Sequence, residues 1–407
     1  MIKTYNIRIY PNLKQKKLIN MTFGATRFVY NKTLWLKKEL WDEYRLSYTP
    51  NLKSFKEEWP FLKEVSSQAI CNAYNDCLIA FKNFFKTCKN KNRQKYPKFK
   101  KKGKSKNSYR IACTYDKKHN NRPDIKILND NHIVIPKLGI VKFANYSKQD
   151  WTKVHLINLT IKQSKTNKYY CSLCCEVSEQ EYKEPKYYAT GFDLGIKDFA
   201  IFDTGEVIEN PKFFRKSQNK LAKEQRKLSK CKFGSNGYKK QKLKVAKIHE
   251  KIKNQRKDFQ HKVSSRIVNE NQVIVSENLN VKGMLKNHKL AKSIQDASFS
   301  SFCDMIKYKS EQKHRIYLKI DRFYPSSKLC HHCGYKYTGL KLEERFWTCP
   351  KCETYLDRDE NAAINILNEG LKILSTVEYT ESGSFEPKPI DTGLVTNLES
   401  EQLNNRI

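Results

Sequence analysis

Long apolar runs are absent from this sequence. No segment approaches the roughly 18 consecutive apolar residues of a transmembrane helix, and the first residues lack the apolar core of a secretory signal. These absences exclude a membrane-spanning or exported protein as the default interpretation. We therefore expect a chain that stays in the cytoplasm and has no membrane partner.

Acidic residues are scarce. Asp and Glu number 42 against 79 Lys and Arg, which leaves a formal net charge of +37. So large an excess excludes an ordinary metabolic enzyme as the default, because self-repulsion destabilises a compact fold unless a polyanion neutralises it. Nucleic acid is the expected polyanion.

The length and composition of the sequence predict several folded domains. It has 407 residues, of which 39% are hydrophobic and 12% aromatic, and this composition excludes a disordered basic tail. The 13 cysteines do not indicate a disulfide scaffold in a chain of this length inside the cell. They are interpreted as reduced thiols or metal ligands.

The N-terminal half changes from a helical to a β pattern. A strand at 4–10 precedes a helix after Pro11, and a second helix with an apolar stripe follows Ser67. Short β-like runs at 125–128, 133–135, 153–157 and 169–177 predict a small barrel or sandwich. Cys171 and Cys174 form a CxxC there, but residues three apart on a strand point to opposite faces, so we interpret them as strand residues rather than ligands.

Two basic regions are candidates for nucleic-acid binding. In the first, near residue 100, cations alternate with aromatic residues, which suits phosphate contacts and base stacking better than a plain solvated loop. In the second, 212–262, two long helices are predicted with one apolar seam and a cationic outer face. A merely solvated face is the alternative, although a mixture of both charges would suit it better. The candidate contact residues are Lys95, Tyr96, Lys98, Phe99, Lys100, Lys101, Lys102, Lys239 and Lys240.

Four cysteines have the spacing of a zinc site. A CxxC at 330–333 is followed after 15 residues by a second CxxC at 349–352. Two such pairs place four thiolates around one tetrahedral ion, and a site closed by four ligands supports shape rather than chemistry. His331 and His332 can also ligate zinc, but with four cysteines available we interpret them as residues of the first turn. The predicted ligands are Cys330, Cys333, Cys349 and Cys352.

Three carboxylates lie on predicted strands or at the start of a predicted helix. Asp193 is within the first strand of a hairpin, Glu277 ends a buried-looking strand, and Asp359 begins a helix. Alone, Asp193 is equally typical of a turn, and Asp357 with Glu360 has the form of a capping box. We therefore assign Asp359, rather than Asp357, as the third ligand. Three such carboxylates suit two magnesium ions that clamp a phosphodiester, and their order is that of an RNase H-like nuclease domain.

Four motifs together carry a family resemblance: GFDLG at 191–195, SENL at 276–279, PSSK at 325–328 and DRDENAAINI at 357–366. With the cysteine pairs they resemble the TnpB (OrfB-type) family of bacterial insertion sequences, which is related to type V CRISPR effector nucleases. The resemblance spans roughly residues 1–375. It implies an RNA-guided DNA endonuclease that binds a transposon-derived guide RNA, recognises a short motif beside the target and cuts both strands of duplex DNA. The implied catalytic residues are Asp193, Glu277 and Asp359.

The expected fold class is a multidomain α+β protein. By the resemblance, a wedge-type β-barrel comprises 1–10 and 113–185, with a helical recognition lobe at 11–112 inserted in it. An RNase H-like (RuvC) nuclease domain comprises 186–326 and the last helix 357–375, with a zinc ribbon at 327–356 inserted. The acidic and aperiodic residues 376–407 are interpreted as a disordered tail. The expected cofactors are Mg²⁺, two ions per site, structural Zn²⁺ and guide RNA.

Two other functions remain open at this point. One is a regulator, RNA-guided or plainly DNA-binding, that does not cut, and a missing carboxylate would favour it. The other is an accessory factor of transposition that uses no guide. A strand-joining transposase is less well supported, because the cysteine pairs lie between the second and third acids. The chain is expected in the bacterial cytoplasm, on the nucleoid when bound to DNA, and no particular oligomeric state is predicted.

Overall fold

The computed structural model describes residues 1–376 apart from 45–48, 88–95, 117–121, 146–149, 152–153, 179–181 and 342. The chain divides into two units, one of Met1–Lys183 and Phe213–Gln255, the other of Glu184–Lys212 and Arg256–Ile407. The elements before residue 184 are β1 Ile2–Tyr10, α1 Leu13–Tyr44, α2 Leu52–Glu58, α3 Ser67–Thr87, β2 Asn107–Ala112, β3 Tyr115–Asp116, β4 Arg122–Pro123, β5 Lys126–Asn129, β6 His132–Ile135, β7 Gly139–Ala144, β8 Val154–Gln163 and β9 Tyr169–Val177.

The remaining elements follow in chain order. They are β10 Tyr187–Asp193, β11 Asp198–Phe202, β12 Val207–Glu209, α4 Phe213–Ser229, α5 Asn236–Glu270, β13 Asn271–Ser276, α6 Val281–Met284, α7 Ala291–Ala297, α8 Phe299–Gln312, β14 Ile316–Lys319, β15 Phe346–Thr348, β16 Tyr355–Asp357 and α9 Arg358–Thr376. Short 3₁₀ turns form at Pro60–Lys63 and Ser326–Lys328. Within the described residues, no helix is long and apolar enough to cross a bilayer.

The first unit is built on a seven-stranded antiparallel sheet in the order β2-β8-β9-β1-β7-β6-β5. Its alternating apolar residues form one core, into which α1 inserts Phe23 and α3 inserts Ala69. Cys171 is buried in β9 and Cys174 is partly exposed, and both are free thiols. Strand β2 lies inside the range 11–112, which is assigned above to the helical lobe. It pairs along its whole length with β8 and therefore belongs to this sheet.

The helical hairpin of α4 and α5 belongs partly to this first unit. The Gln241 side chain donates to the carboxylate and the carbonyl of Glu224, at 2.6 and 2.9 Å, and so joins the two helices. Glu250 accepts from Thr166 at 3.0 Å and from the Lys168 ammonium at 2.8 Å. The hairpin is therefore attached to the turn between β8 and β9.

The second unit contains a five-stranded mixed sheet in the order β12-β11-β10-β13-β14. The hairpin strands β10, β11 and β12 are antiparallel, whereas β13 lies parallel to both β10 and β14. Phe192 and Phe302 belong to the apolar cluster on one face, and Val275 and Ile366 to the cluster on the other. Helices thus cover both faces of this sheet, with α8 on one side and α9 on the other.

Two glycines allow α9 to lie close to the sheet. A Cβ on Gly191 of β10 would stand 2.7 Å from the carbonyl oxygen of Ala363, and one on Gly370 of α9 would collide with Val275 of β13. Since real Cβ atoms do not approach so closely, a side chain at either position would force the helix away from the strands. The residues at the start of α9 are therefore held against β10 and β13.

Candidate functional site

The three predicted carboxylates lie where β10, β13 and α9 meet, at the C-terminal ends of two neighbouring parallel strands of the five-stranded sheet. We call this place the carboxylate edge. Asp193 is the last residue of β10, and Glu277 directly follows β13. These strands are parallel neighbours in which Phe192 pairs with Ser276, so the two acids occupy adjacent positions at the same ends. Asp359 is the second residue of α9, which packs on both strands.

Electrostatics at this edge favour a bound cation. Burial and then the negative charges of Glu277 and Asp359 raise the pKa of Asp193 to about 7, against the opposing hydrogen bond from Leu194 and the charge of Arg358. A divalent ion would relieve this repulsion, and carboxylate oxygens are the donors that magnesium prefers. These residue types and this charge repulsion therefore suit a divalent cation, although the carboxylate oxygens are not gathered as closely as the four thiols described below.

The hydrogen bonds of Asp357 and Asp359 distinguish their roles. Asp357 Oδ1 accepts from the backbone N–H of Asp359 at 2.8 Å and of Glu360 at 3.0 Å, which makes Asp357 the N-cap of α9. The Asp359 carboxylate instead pairs with the guanidinium of Arg345 at 2.5 Å. Asp357 therefore caps the helix, which leaves Asp359 as the candidate ligand of the two.

Neutral hydrogen-bonding groups hold the third carboxylate, that of Glu277, in position. Ser326 Oγ donates to Glu277 Oε1 at 2.6 Å. The Ser326 carbonyl in turn accepts from the buried amide of Asn365 at 2.8 Å, and the same amide donates to the Leu329 carbonyl at 2.7 Å. One turn earlier on α9, Asn361 donates to that Leu329 carbonyl at 2.7 Å and accepts from the His331 backbone N–H at 3.0 Å. Helix α9 thus fixes the segment that orients Glu277.

Sequence reasoning assigned no supporting role to these residues, although Ser326, Asn361 and Asn365 lie within the motifs at 325–328 and 357–366. Arg345 is separated from Asp359 by a turn and two strands, so no spacing rule links them. The two asparagines did carry a usable signal: Asn361 and Asn365 lie four residues apart in an apolar helix, and both are buried. Buried amides at such positions need partners from another segment.

The four predicted cysteines come together. Their Sγ atoms all lie within 4.8 Å of one another, with 3.6 Å between Cys330 and Cys352 and 3.5 Å between Cys333 and Cys349. A tetrahedral zinc ion with bonds of about 2.3 Å places its sulfurs about 3.8 Å apart, so the cluster fits zinc. Within the described residues, no other group of three or more Cys, His, Asp or Glu donors is this close together.

The residues around the cysteines give the cluster its own small core. Trp347 of β15 and Leu356 of β16 pack with Leu340 against the thiols. His331 Nδ1 lies 3.1 Å from Asn361 Oδ1, so this ring contacts α9. His332 is exposed and also lies outside the four-thiol cluster.

The predicted nucleic-acid residues differ in their surroundings. Tyr96 packs edge-on against Phe81 and Phe84 at 5.5 and 5.3 Å, and Lys100 Nζ lies 3.7 Å above the ring of Tyr30. These contacts fold the segment onto α1 and α3. Lys95 lies outside the described residues. The exposed candidates are Tyr96, Lys98, Phe99, Lys101, Lys102, Lys239 and Lys240.

Three protein-family models match separate parts of the chain. A probable transposase (OrfB) family model matches residues 172–288, a Cas12f1-like TNB domain model matches 299–366, and a helix-turn-helix domain model matches 1–45. Residues 1–44 nevertheless form one strand and the single long helix α1.

Relatives match over almost the whole chain. A Streptomyces pristinaespiralis protein named "Putative RNA-guided DNA endonuclease" is 36% identical over 91% of this chain and 89% of its own length. The Escherichia coli protein named "Putative RNA-guided DNA endonuclease InsQ" is 30% identical over 94% of this chain and 96% of its own. Among solved structures, the Cas12f1-sgRNA-target DNA complex matches with a TM-score of 0.52 at 15% identity, over 90% of this chain and 98% of that one, which indicates a shared mixed α/β fold. The chain belongs to the TnpB (OrfB-type) family.

Proposed function

We propose that this chain is an RNA-guided DNA endonuclease that cuts duplex DNA at one magnesium site. The observation that carries the proposal is the meeting of Asp193, Glu277 and Asp359 at one sheet edge, from two parallel strands and a helix packed on both. The names of the two relatives support the same activity. A regulator that only binds is not favoured, because all three acids are present.

Each side chain at the edge has a task in phosphodiester hydrolysis. The three carboxylates would hold the metal, and the metal would supply activation of water and neutralisation of charge on the phosphate. Ser326 orients Glu277 through its hydroxyl. Arg345, beside Asp359, is placed to stabilise negative charge that develops on the phosphate oxygens. The four-cysteine cluster would hold zinc and would thereby keep Arg345 and β16 in position.

The domain assignments follow from this function. The five-stranded sheet with α9 corresponds to the proposed RuvC-type RNase H-like domain, and the segment around the cysteines to the inserted ribbon. The seven-stranded sheet corresponds to the proposed wedge barrel, and α1 to α3 to the recognition lobe. Guide RNA and target DNA are the proposed partners, in the cytoplasm and on the nucleoid. The proposed tail beyond Thr376 lies outside the described residues.

The test begins with the RNA that copurifies with the protein. Expressed with its native flanking DNA, the chain should retain a discrete RNA that ends in a variable segment. The loaded complex should then cut matching duplex DNA only when magnesium is present. Asp193→Asn, Glu277→Gln and Asp359→Asn should each abolish cutting and leave RNA retention unchanged.

The matched control is Asp357→Asn. Asparagine caps a helix as well as aspartate does, so this variant should fold and cut normally. Loss of cutting in Asp357→Asn with normal cutting in Asp359→Asn would reverse the ligand assignment. Recovery of random RNA only, with tight DNA binding after RNase treatment, would replace the nuclease by an unguided DNA-binding factor.

A further inference from the structure

An exposed phenylalanine stands in the loop that joins β14 to the Ser326–Lys328 turn. Phe323 has 85% of its surface exposed to solvent. Exposure of a whole aromatic ring forgoes the burial that normally stabilises such a side chain. The ring therefore contributes little burial to the fold and is accessible to a ligand.

The loop beneath this ring is well held. The Phe323 backbone N–H donates to Asp321 Oδ1 at 2.8 Å, and the Ser326 N–H donates to the Tyr324 carbonyl at 2.9 Å. The next side chain, Tyr324, packs inward against the apolar cluster that contains Val275. One ring thus anchors the loop while its neighbour, Phe323, faces solvent.

Two contacts place the loop beside the carboxylates. On one side of Phe323, Arg322 Nε approaches the carbonyl of Asn278, the residue after Glu277, at 3.4 Å. On the other side, Ser326 donates directly to the Glu277 carboxylate. Phe323 therefore projects from a segment that is attached at both ends to the residues around Glu277.

We propose that Phe323 is a stacking platform for one base of the DNA strand that is being cut. This inference rests on the proposed nuclease function and adds a substrate contact to it. The carboxylate of Glu277, which Ser326 of this loop contacts, repels a phosphate backbone when no metal is bound, so a neutral contact to a base is suited to hold the strand there. Every base offers an aromatic face, and stacking on a side chain is therefore independent of sequence, as a guide-directed enzyme requires. The exposed guanidinium of Arg322 supplies an adjacent phosphate contact.

The experiment is an abasic scan with the guide-loaded protein. A single-stranded DNA target, in which one base at a time is removed near the cut, is cleaved under single-turnover conditions. For the wild type we expect one position at which base removal raises the apparent KM roughly ten-fold, the size of one stacking contact. In Phe323→Ala the KM should already be raised by the same factor for intact DNA, with no further penalty at that position.

Several variants separate stacking from other effects. Phe323→Trp should restore the wild-type profile, whereas Phe323→Leu, which is apolar but not aromatic, should resemble Phe323→Ala. Phe233→Ala is the matched control, because Phe233 is also 85% exposed but lies between α4 and α5. It should retain the position-specific penalty.

A second readout does not need cleavage. In the Glu277→Gln variant, 2-aminopurine placed in turn along the strand should change its emission at one position on binding, and Phe323→Ala should remove that change. If the wild type cuts but Phe323→Ala keeps the wild-type KM and abasic profile, the stacking site is wrong while the nuclease stands. If the wild type fails to cut, the nuclease proposal is wrong, and the 2-aminopurine signal alone decides whether Phe323 binds a base.

Discussion

At the scale of single residues, the carboxylate edge depends on side chains that have no direct role in catalysis. Asn365 and Asn361 are buried, and together they satisfy three backbone groups of the segment between Ser326 and His331. That segment holds Glu277 through Ser326 at one end and begins the cysteine cluster at the other. A single helix face thus determines the position of an acid that is more than 80 residues away in sequence.

Asn365→Ala should therefore damage both stability and activity. The variant removes the amide donor of the Ser326 carbonyl and leaves the Leu329 carbonyl with the Asn361 amide alone, which costs about 1–3 kcal/mol in the free energy of unfolding. Cutting should slow because Ser326 no longer holds Glu277 firmly. Urea denaturation and single-turnover cleavage measure the two effects. Asn368→Ala, an exposed position on the same helix, is the control, and equal stability of the two variants would contradict the role of Asn365.

Arg345 gives a second prediction at this scale. Removal of its guanidinium from beside Asp359 should lower kcat by roughly 100-fold, the usual effect of losing one group that stabilises a transition state. Arg345→Ala should nevertheless bind zinc and DNA normally, because the side chain is half exposed. Lys351→Ala removes an exposed cation from the same segment and should have no effect on kcat. A loss of DNA affinity in Arg345→Ala with unchanged kcat would show a binding role instead.

At the scale of elements, periodic segments and some short strands were predictable, since the runs 125–128 and 133–135 coincide with β5 and β6 within one residue. The apolar stripe of α3 and the nine-residue strand run 169–177, which is β9, lie where the sequence predicts them. Strands β2 and β7 were missed, because β2 acquires its conformation from β8, more than 40 residues later, and its own residues follow a basic stretch with no period. The acids and cysteines were predictable from residue type and spacing. Their supports were not, because Arg345 and Asp359 meet only through the tertiary structure of the cysteine segment.

The cysteine segment should behave as a separate zinc-dependent element. Chelation is expected to release one zinc ion per chain and to make residues 327–356 sensitive to protease, because the core around the thiols is too small to fold without metal. Circular dichroism of the long helices should remain. Cys349→Ser should reproduce the effect, whereas His332→Ala should retain zinc. An equally resistant segment after complete zinc removal would contradict a structural metal.

At the scale of the whole molecule, charge decides how the chain meets its partners. If every acid formed an ion pair, 37 cations would still lack one. Some of these belong to α5, where Lys239 and Lys240 are exposed while Lys262 pairs with Asp258 at 2.8 Å. Each cation that meets a phosphate releases a counterion, so affinity depends on salt in proportion to the number of contacts.

Guide RNA should therefore change the salt dependence of DNA binding. The RNA-free chain should bind random duplex DNA with an affinity that falls by roughly 10³-fold or more between 50 and 200 mM salt, as expected for six or more phosphate contacts. Loading with RNA occupies cations, so the slope of log K against log salt should become shallower. Fluorescence anisotropy over a salt series measures both slopes. Lys240→Ala should reduce the RNA-free slope by about one, whereas Lys262→Ala should change it less because Asp258 already neutralises that charge. Identical slopes with and without RNA would mean that the two nucleic acids use different cations, and this would contradict the expected overlap of their binding sites.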